Sequence, residues 1–171
     1  MSETSDLQER MQKYHEEREH AAREKEKATR PLFRKMCELL LAKNVCKVVA
    51  HYDGNGDSGC INDVDYLDAE DSVIEADLSF EHPYMTLLPG FKTHKSTTNA
   101  DGKWCQEEVD GTVNDFIEDF VYDRLPGGWE INEGSFGQFE LDLKEKSWSG
   151  SQLVRTYTEE DGDMMSGSYE D

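Results

Sequence analysis

Residues 7 to 28 read LQERMQKYHEEREHAAREKEKA, and a segment so densely charged cannot supply the interior of a fold. It carries Glu9/Lys13, Glu19/Arg23 and Glu26/Arg30 at the i, i+4 spacing that supports a solvated helix, while its apolar stripe (Leu7, Met11, Tyr14, Ala21, Ala28) is too thin to argue for a coiled coil. The expectation is an exposed helical arm over residues 1–29. The core must then come from the rest of the 171-residue chain, as a single domain over 30–158, with the acidic, Gly/Ser-containing stretch 159–171 expected to be a disordered tail.

Charge is distributed as unevenly as apolarity. Residues 1–47 hold 11 Lys+Arg and 9 Asp+Glu; residues 48–171 hold 7 and 29, and no Lys or Arg occurs between Val48 and Phe91. Such a body repels nucleic acid and anionic membranes and attracts basic surfaces. The N-terminus has no apolar segment of the signal-peptide kind and no apolar run is long enough to span a bilayer. Four cysteines without a CxxC pair suit reduced thiols, so the chain reads as cytoplasmic. A zinc site drawing on Cys46, His51 and Cys60 lacks the usual ligand spacing.

Within 30–158, TRPLFRKMCELLLAKN predicts a helix that Thr29 caps and Pro31 opens, with Leu32, Phe33, Met36, Leu39 and Leu40 facing inward and Asn44 ending it. VCKVVAHYD and CINDVDYL read as strands joined by GNGDSG, whose glycines admit the positive φ of a hairpin turn. SVIEADLSF alternates as a further strand, and the polar stretch after it makes 68–111 look like a long excursion or insertion. TVNDFIEDFVYDRL is an amphipathic helix over 113–125 capped by Thr112. WEIN and QFELDL then read as a hairpin, and SQLVRTYT as a closing strand. The predicted fold is α+β, an antiparallel sheet of about five strands with two helices on one face and the charged arm outside it.

The tetrapeptide GDSG at 56–59 raises serine-protease chemistry, which fails here: Cys60 and Ile61 follow it, and the 57 preceding residues cannot build the barrels that bring histidine and aspartate to Ser58. Asp53, Asn55 and Asp57 have the first spacing of an EF-hand loop, but Ser58 and Val64 replace its glycine and its bidentate glutamate, leaving at most a weak divalent-cation site. Trp129, Glu130 and Asn132 adjoin glycine turns whose backbone could help line a pocket.

Taken in order, YDGNGDSGCI, FIEDFVYDRL and GGWEINEGSFGQFELDL resemble an uncharacterised bacterial and phage domain family that pairs a GDSG turn with a GWE-N-G-G motif, over residues 45–158. The resemblance implies no activity. It implies a shared site between the two turns, formed by Asp53, Asp57, Ser58, Trp129, Glu130 and Asn132.

Two functional readings follow. The first is a non-catalytic protein whose acidic body binds a basic protein surface, even a nucleic-acid mimic in phage–host conflict, without direct nucleic-acid or membrane binding and with no cofactor. Its candidate contacts are Asp63, Asp65, Asp68, Glu70, Asp71, Glu75 and Asp77. Carboxylates on alternate strand residues stand about 6 to 7 Å apart, near the phosphate spacing along one DNA strand. The second is a small divalent-metal-assisted enzyme using the two glycine-rich turns, with Asp53, Asn55 and Asp57 holding the cation.

Overall fold

A computed structural model of the chain describes residues 3–75, 82–83 and 85–156, with side chains from residue 7 onward. The elements are α1 (Glu3–Leu41), β1 (Lys47–Asn55), β2 (Ser58–Leu67), β3 (Leu87–Thr98), β4 (Trp104–Thr112), α2 (Val113–Tyr122), β5 (Ser135–Asp142) and β6 (Ser147–Val154). The α+β class holds. The strands, however, divide into a four-stranded antiparallel sheet of order β2-β1-β5-β6 and a separate β3-β4 hairpin, in place of one sheet of about five.

One cluster forms the core. The last turns of α1 contribute Phe33, Met36, Cys37 and Leu40, at i, i+3, i+4 and i+7, and α2 contributes Val113, Phe116, Ile117, Phe120 and Val121. Both helices therefore lie on one face of the larger sheet, the face to which Val48, Ala50, Val64, Tyr66, Phe139 and Leu141 point. Thr112 caps α2 as its sequence predicts: its hydroxyl accepts from Asp115 N while the Asp115 carboxylate accepts from Thr112 N at 2.7 Å. Asn44, at φ 64°, closes α1, with Val45 N donating to Leu40 O.

Three expectations are corrected. The arm and the first core helix are one 39-residue helix, about 58 Å long at 1.5 Å per residue, with Pro31 inside it and no start at Thr29. The segment just before Pro31 is held against the end of α2, where Lys25 pairs with Asp123 and Glu26 with Arg124 at 2.7 Å. Those contacts lie on the turn before Pro31, and proline's φ is already helical. The segment 68–111 is not mere excursion: its second half is the β3–β4 hairpin, which sends Leu88 and Phe91 into the core. Apolar alternation misses it because its pairing is polar, with Lys92 bonded to Asp110 at 2.7 Å and Lys95 opposite Glu107. The WEIN segment is a run of turns, with Gly128 and Asn132 at positive φ, and pairs as no strand.

The strand expected from Val73 onward is seen only as an isolated bridge between Val73 and Leu67 and a bond from Ile74 N to Tyr66 O. Its continuation over 76–81, including Asp77, lies outside the described residues, as does the tail 159–171.

All four cysteines are free; Cys37 is buried, Cys60 and Cys105 are exposed. Burial pushes the Cys37 thiol up to about 11 from an ordinary 9.0, the nearby Lys146 opposing only part of the shift. Folding therefore disfavours the thiolate: the stability tied to Cys37 is complete below pH 9 and is lost as the pH rises towards 11. Native protein treated with iodoacetamide near pH 8 should be modified quickly at Cys60 and Cys105 and at Cys37 only after unfolding, as read by peptide mass spectrometry. Native labelling of Cys37 at the rate of Cys60 would show that this part of the core opens readily.

Candidate functional site

Gly56 (φ 62°) and Asp57 (φ 65°) are the two central residues of a tight β-hairpin between Asn55 and Ser58, the geometry of a type I′ turn. Ser58 is exposed, and among the described residues its hydroxyl reaches Asn55 O alone, at 3.4 Å. The nearest histidine in sequence, His51, is bonded through Nε2 to Asp65 at 3.2 Å. Ser58 is placed as a turn residue.

The two glycine-rich turns do meet. Gly56 N donates to Asn132 O at 2.8 Å, Asp57 N to Glu130 O at 3.1 Å, and the Asp57 carboxylate accepts from Asn132 N at 3.4 Å. Trp129 lies across the hairpin: a Cβ on Gly59 would fall 2.2 Å from its ring and one on Gly54 2.8 Å, so both glycines are required by the indole's approach. Tyr52 meets the same ring edge-on at 5.6 Å. Arg155 closes the junction, with Nη1 on Gly54 O at 2.6 Å and Nη2 on Asp53 at 2.7 Å. Sequence reasoning left Arg155 unremarked in its closing strand; nothing local marks a cation whose partners lie about 100 residues away.

What the turns bring together is thus a clasp whose polar groups largely satisfy one another. Asp53 is held by Arg155, Asp57 faces Asn132 N, and Asn55 is exposed in the turn. Among the described residues no group of three His, Cys, Asp or Glu is disposed to hold a metal ion. Cys60 donates to Asn62 Oδ1 at 2.9 Å. Glu130 Oε2 is a buried oxygen without a hydrogen-bond partner among the described residues.

The acidic residues sort by place. Asp63 and Asp65 lie on the sheet face away from the helices, in register with His51 and Val49. Asp68 closes its own turn, accepting from Glu70 N and Ser72 N, each at 2.9 Å. Asp71 pairs with Lys47 at 2.7 Å, while Glu70 and Glu75 are exposed. The register adds Glu140 and Asp142, which sequence reading did not select, and Asp53, which it placed only in the turn site: all three share the helix-free face with Asp63 and Asp65. Five carboxylates from three adjacent strands therefore meet solvent on one surface, against Lys47, His51 and Arg155. Strand alternation marks each acid as opposite to the core, but only the order β2-β1-β5 makes them neighbours.

A second polar group is internal. Tyr66 donates its hydroxyl to Asn114 Oδ1 at 2.8 Å, and Asn114 donates to Glu118 at 2.7 Å, tying β2 to α2 through a buried asparagine. Burial raises the Glu118 carboxyl above its usual range, partly opposed by the Asn114 bond.

Among known proteins, the model of a family of unknown function (DUF6878) matches residues 31–153. The match begins in the last turns of α1, which a resemblance over 45–158 leaves out. No curated protein and no solved structure matches the chain.

Proposed function

We propose that this chain, which belongs to the family of unknown function DUF6878, is a non-catalytic interaction protein whose helix-free sheet face binds a basic protein surface. The observation that carries the reading is the shared face of Asp53, Asp63, Asp65, Glu140 and Asp142 on three hydrogen-bonded strands. Asp63 and Asp65 on β2, and Glu140 and Asp142 on β5, are alternate residues about 6.7 Å apart, and the two pairs stand two strand spacings apart, about 9.6 Å, across β1. Such an array complements clustered Lys and Arg side chains more closely than the same charges on mobile loops. The same spacing supports the sharper form of the proposal, a mimic of nucleic-acid phosphates that occupies a DNA-binding protein of a host under phage attack.

The test uses the whole chain immobilised against bacterial lysate at low salt, followed by affinity measurement with each basic protein recovered. Asp65→Lys with Glu140→Lys should weaken binding about tenfold or more, with the loss largest at low salt. For a nucleic-acid mimic, duplex DNA should compete for the same partner. Binding that survives both the charge reversal and about 0.5 M salt would overturn the reading, since exposed charge pairs are largely screened there.

A further inference from the structure

On the helix side of the sheet one cleft is basic. Between α1 and the turn joining β5 to β6 lies a cavity of about 260 Å³ into which Arg30, Arg34, Arg124 and Lys146 converge. Four cations in one cleft is a local excess in a chain with 18 Lys+Arg against 38 Asp+Glu. One carboxylate lines the same cleft, Glu26, and it is already engaged by Arg124 at 2.7 Å and by Arg30 at 3.9 Å. Arg34 and Lys146 form no ion pair with any described residue, whereas Lys47, Lys92 and Arg155 are each paired with a carboxylate at 2.7 Å.

The backbone that carries the cations is held in place. Arg30 and Arg34 are one turn apart on the same face of α1. Lys146 occupies a left-handed backbone position, φ 53°, in a turn that Asp142 fixes by accepting from Lys144 N and Glu145 N. Arg124 is largely buried and lies flat on Phe120, its guanidinium carbon 3.5 Å from the ring centre. Phe33, Phe120 and Trp148 add aromatic wall: Trp148, half exposed, stacks on Phe139 at 5.1 Å and 16° and has the Arg124 guanidinium carbon 5.5 Å from its ring centre.

We propose that this cleft is a binding site for a small phosphorylated aromatic molecule of mononucleotide size, its phosphate between Arg34 and Lys146 and its ring against Trp148. Unpaired cations on fixed supports supply charge-assisted bonds to a phosphate, and an indole supplies a stacking surface for a planar ring. The volume of about 260 Å³ lies just below the roughly 300 to 1,000 Å³ of small-ligand pockets, so a mononucleotide would be only partly enclosed and dinucleotides and polymers are excluded from full enclosure. Although the chain is strongly acidic, the carboxylates of the helix-free face lie across the sheet and are screened over the Debye length of about 8 Å at physiological salt. Local charge therefore decides what enters. The site is independent of the acidic face.

Adenosine 5′-monophosphate, inorganic phosphate and adenosine are the three probes, titrated into the full chain and followed by calorimetry and by tryptophan emission. The nucleotide should bind saturably and more tightly than either fragment, and Trp148→Leu should remove the emission change while Trp104→Leu leaves it. Arg34→Gln with Lys146→Gln, two exposed positions that leave the core intact, should weaken the nucleotide at least tenfold and abolish phosphate binding. Phosphate binding as tightly as the nucleotide would overturn the aromatic half of the proposal, and adenosine doing so would overturn the cationic half. No saturable binding up to about 1 mM, or full affinity in the folded double variant, would overturn the site altogether.

Discussion

Gly134→Ala should lower the melting temperature by about 10 °C, from a loss of about 3 kcal/mol and the roughly 2 to 4 °C per kcal/mol of a domain this size. Gly134 sits at φ 67°, where any Cβ is strained, and the added carbon would lie 1.9 Å from Gly54 O and 2.5 Å from the carbonyl carbon. Both obstacles are backbone, so no side-chain rotation relieves them. The carbonyl cannot retreat easily either, because Arg155 holds it at 2.6 Å. The two turns would have to separate, with loss of the bonds from Gly56 N to Asn132 O and from Asp57 N to Glu130 O. Gly56→Ala is the control. It has the same sign of φ, 62°, but open space around the new carbon, so it should cost only the left-handed strain of about 1 kcal/mol. Equal shifts for the two variants would mean that the clasp contributes nothing beyond backbone conformation.

Phe120→Ala should cost about 4 kcal/mol, the largest single-residue loss expected here, and shift the thermal midpoint by about 12 °C. The ring is only 4% exposed and stacks on Phe33 at 4.9 Å, with Phe116, Phe139 and Trp148 at 6.0 to 6.4 Å. Removing it leaves a cavity where α1, α2 and β5 converge and takes away the surface on which Arg124 lies. Phe120→Leu, which keeps most of the volume, should cost about 1.5 kcal/mol. Urea denaturation read by circular dichroism distinguishes the two. A loss below about 1 kcal/mol for the alanine variant would show that α1 and α2 are not held through this ring.

The fate of GDSG shows how much local sequence carries. A hairpin turn within GNGDSG is legible because turn chemistry is decided by φ at its own residues, while its two-residue form at Gly56 and Asp57 comes from the strands pairing as far as Asn55 and Ser58. The capped helix from Thr112 is legible for the same reason: its signals lie within three residues of one another. Pro31 misleads by that same local logic. A proline after a threonine announces a helix start, yet α1 runs through it, its preceding turn tied to the end of α2 by Lys25–Asp123 and Glu26–Arg124, partners 98 positions apart in sequence. The β3–β4 hairpin escapes notice because its strands are exposed and polar, so the apolar period by which strands are recognised is absent.

The sequence by itself determined which parts can be buried, where the chain turns, and that the body is acidic, since each follows from the residue's own side chain and backbone freedom. The tertiary structure alone decided which charges become neighbours. Strand order placed Asp65 and Glu140 on one face with Val49 between them, and helix docking placed Arg34 across a cleft from Lys146. Electrostatic energy depends on distance through space rather than along the chain, so neither the acidic face nor the basic cleft has a counterpart in the linear order of residues.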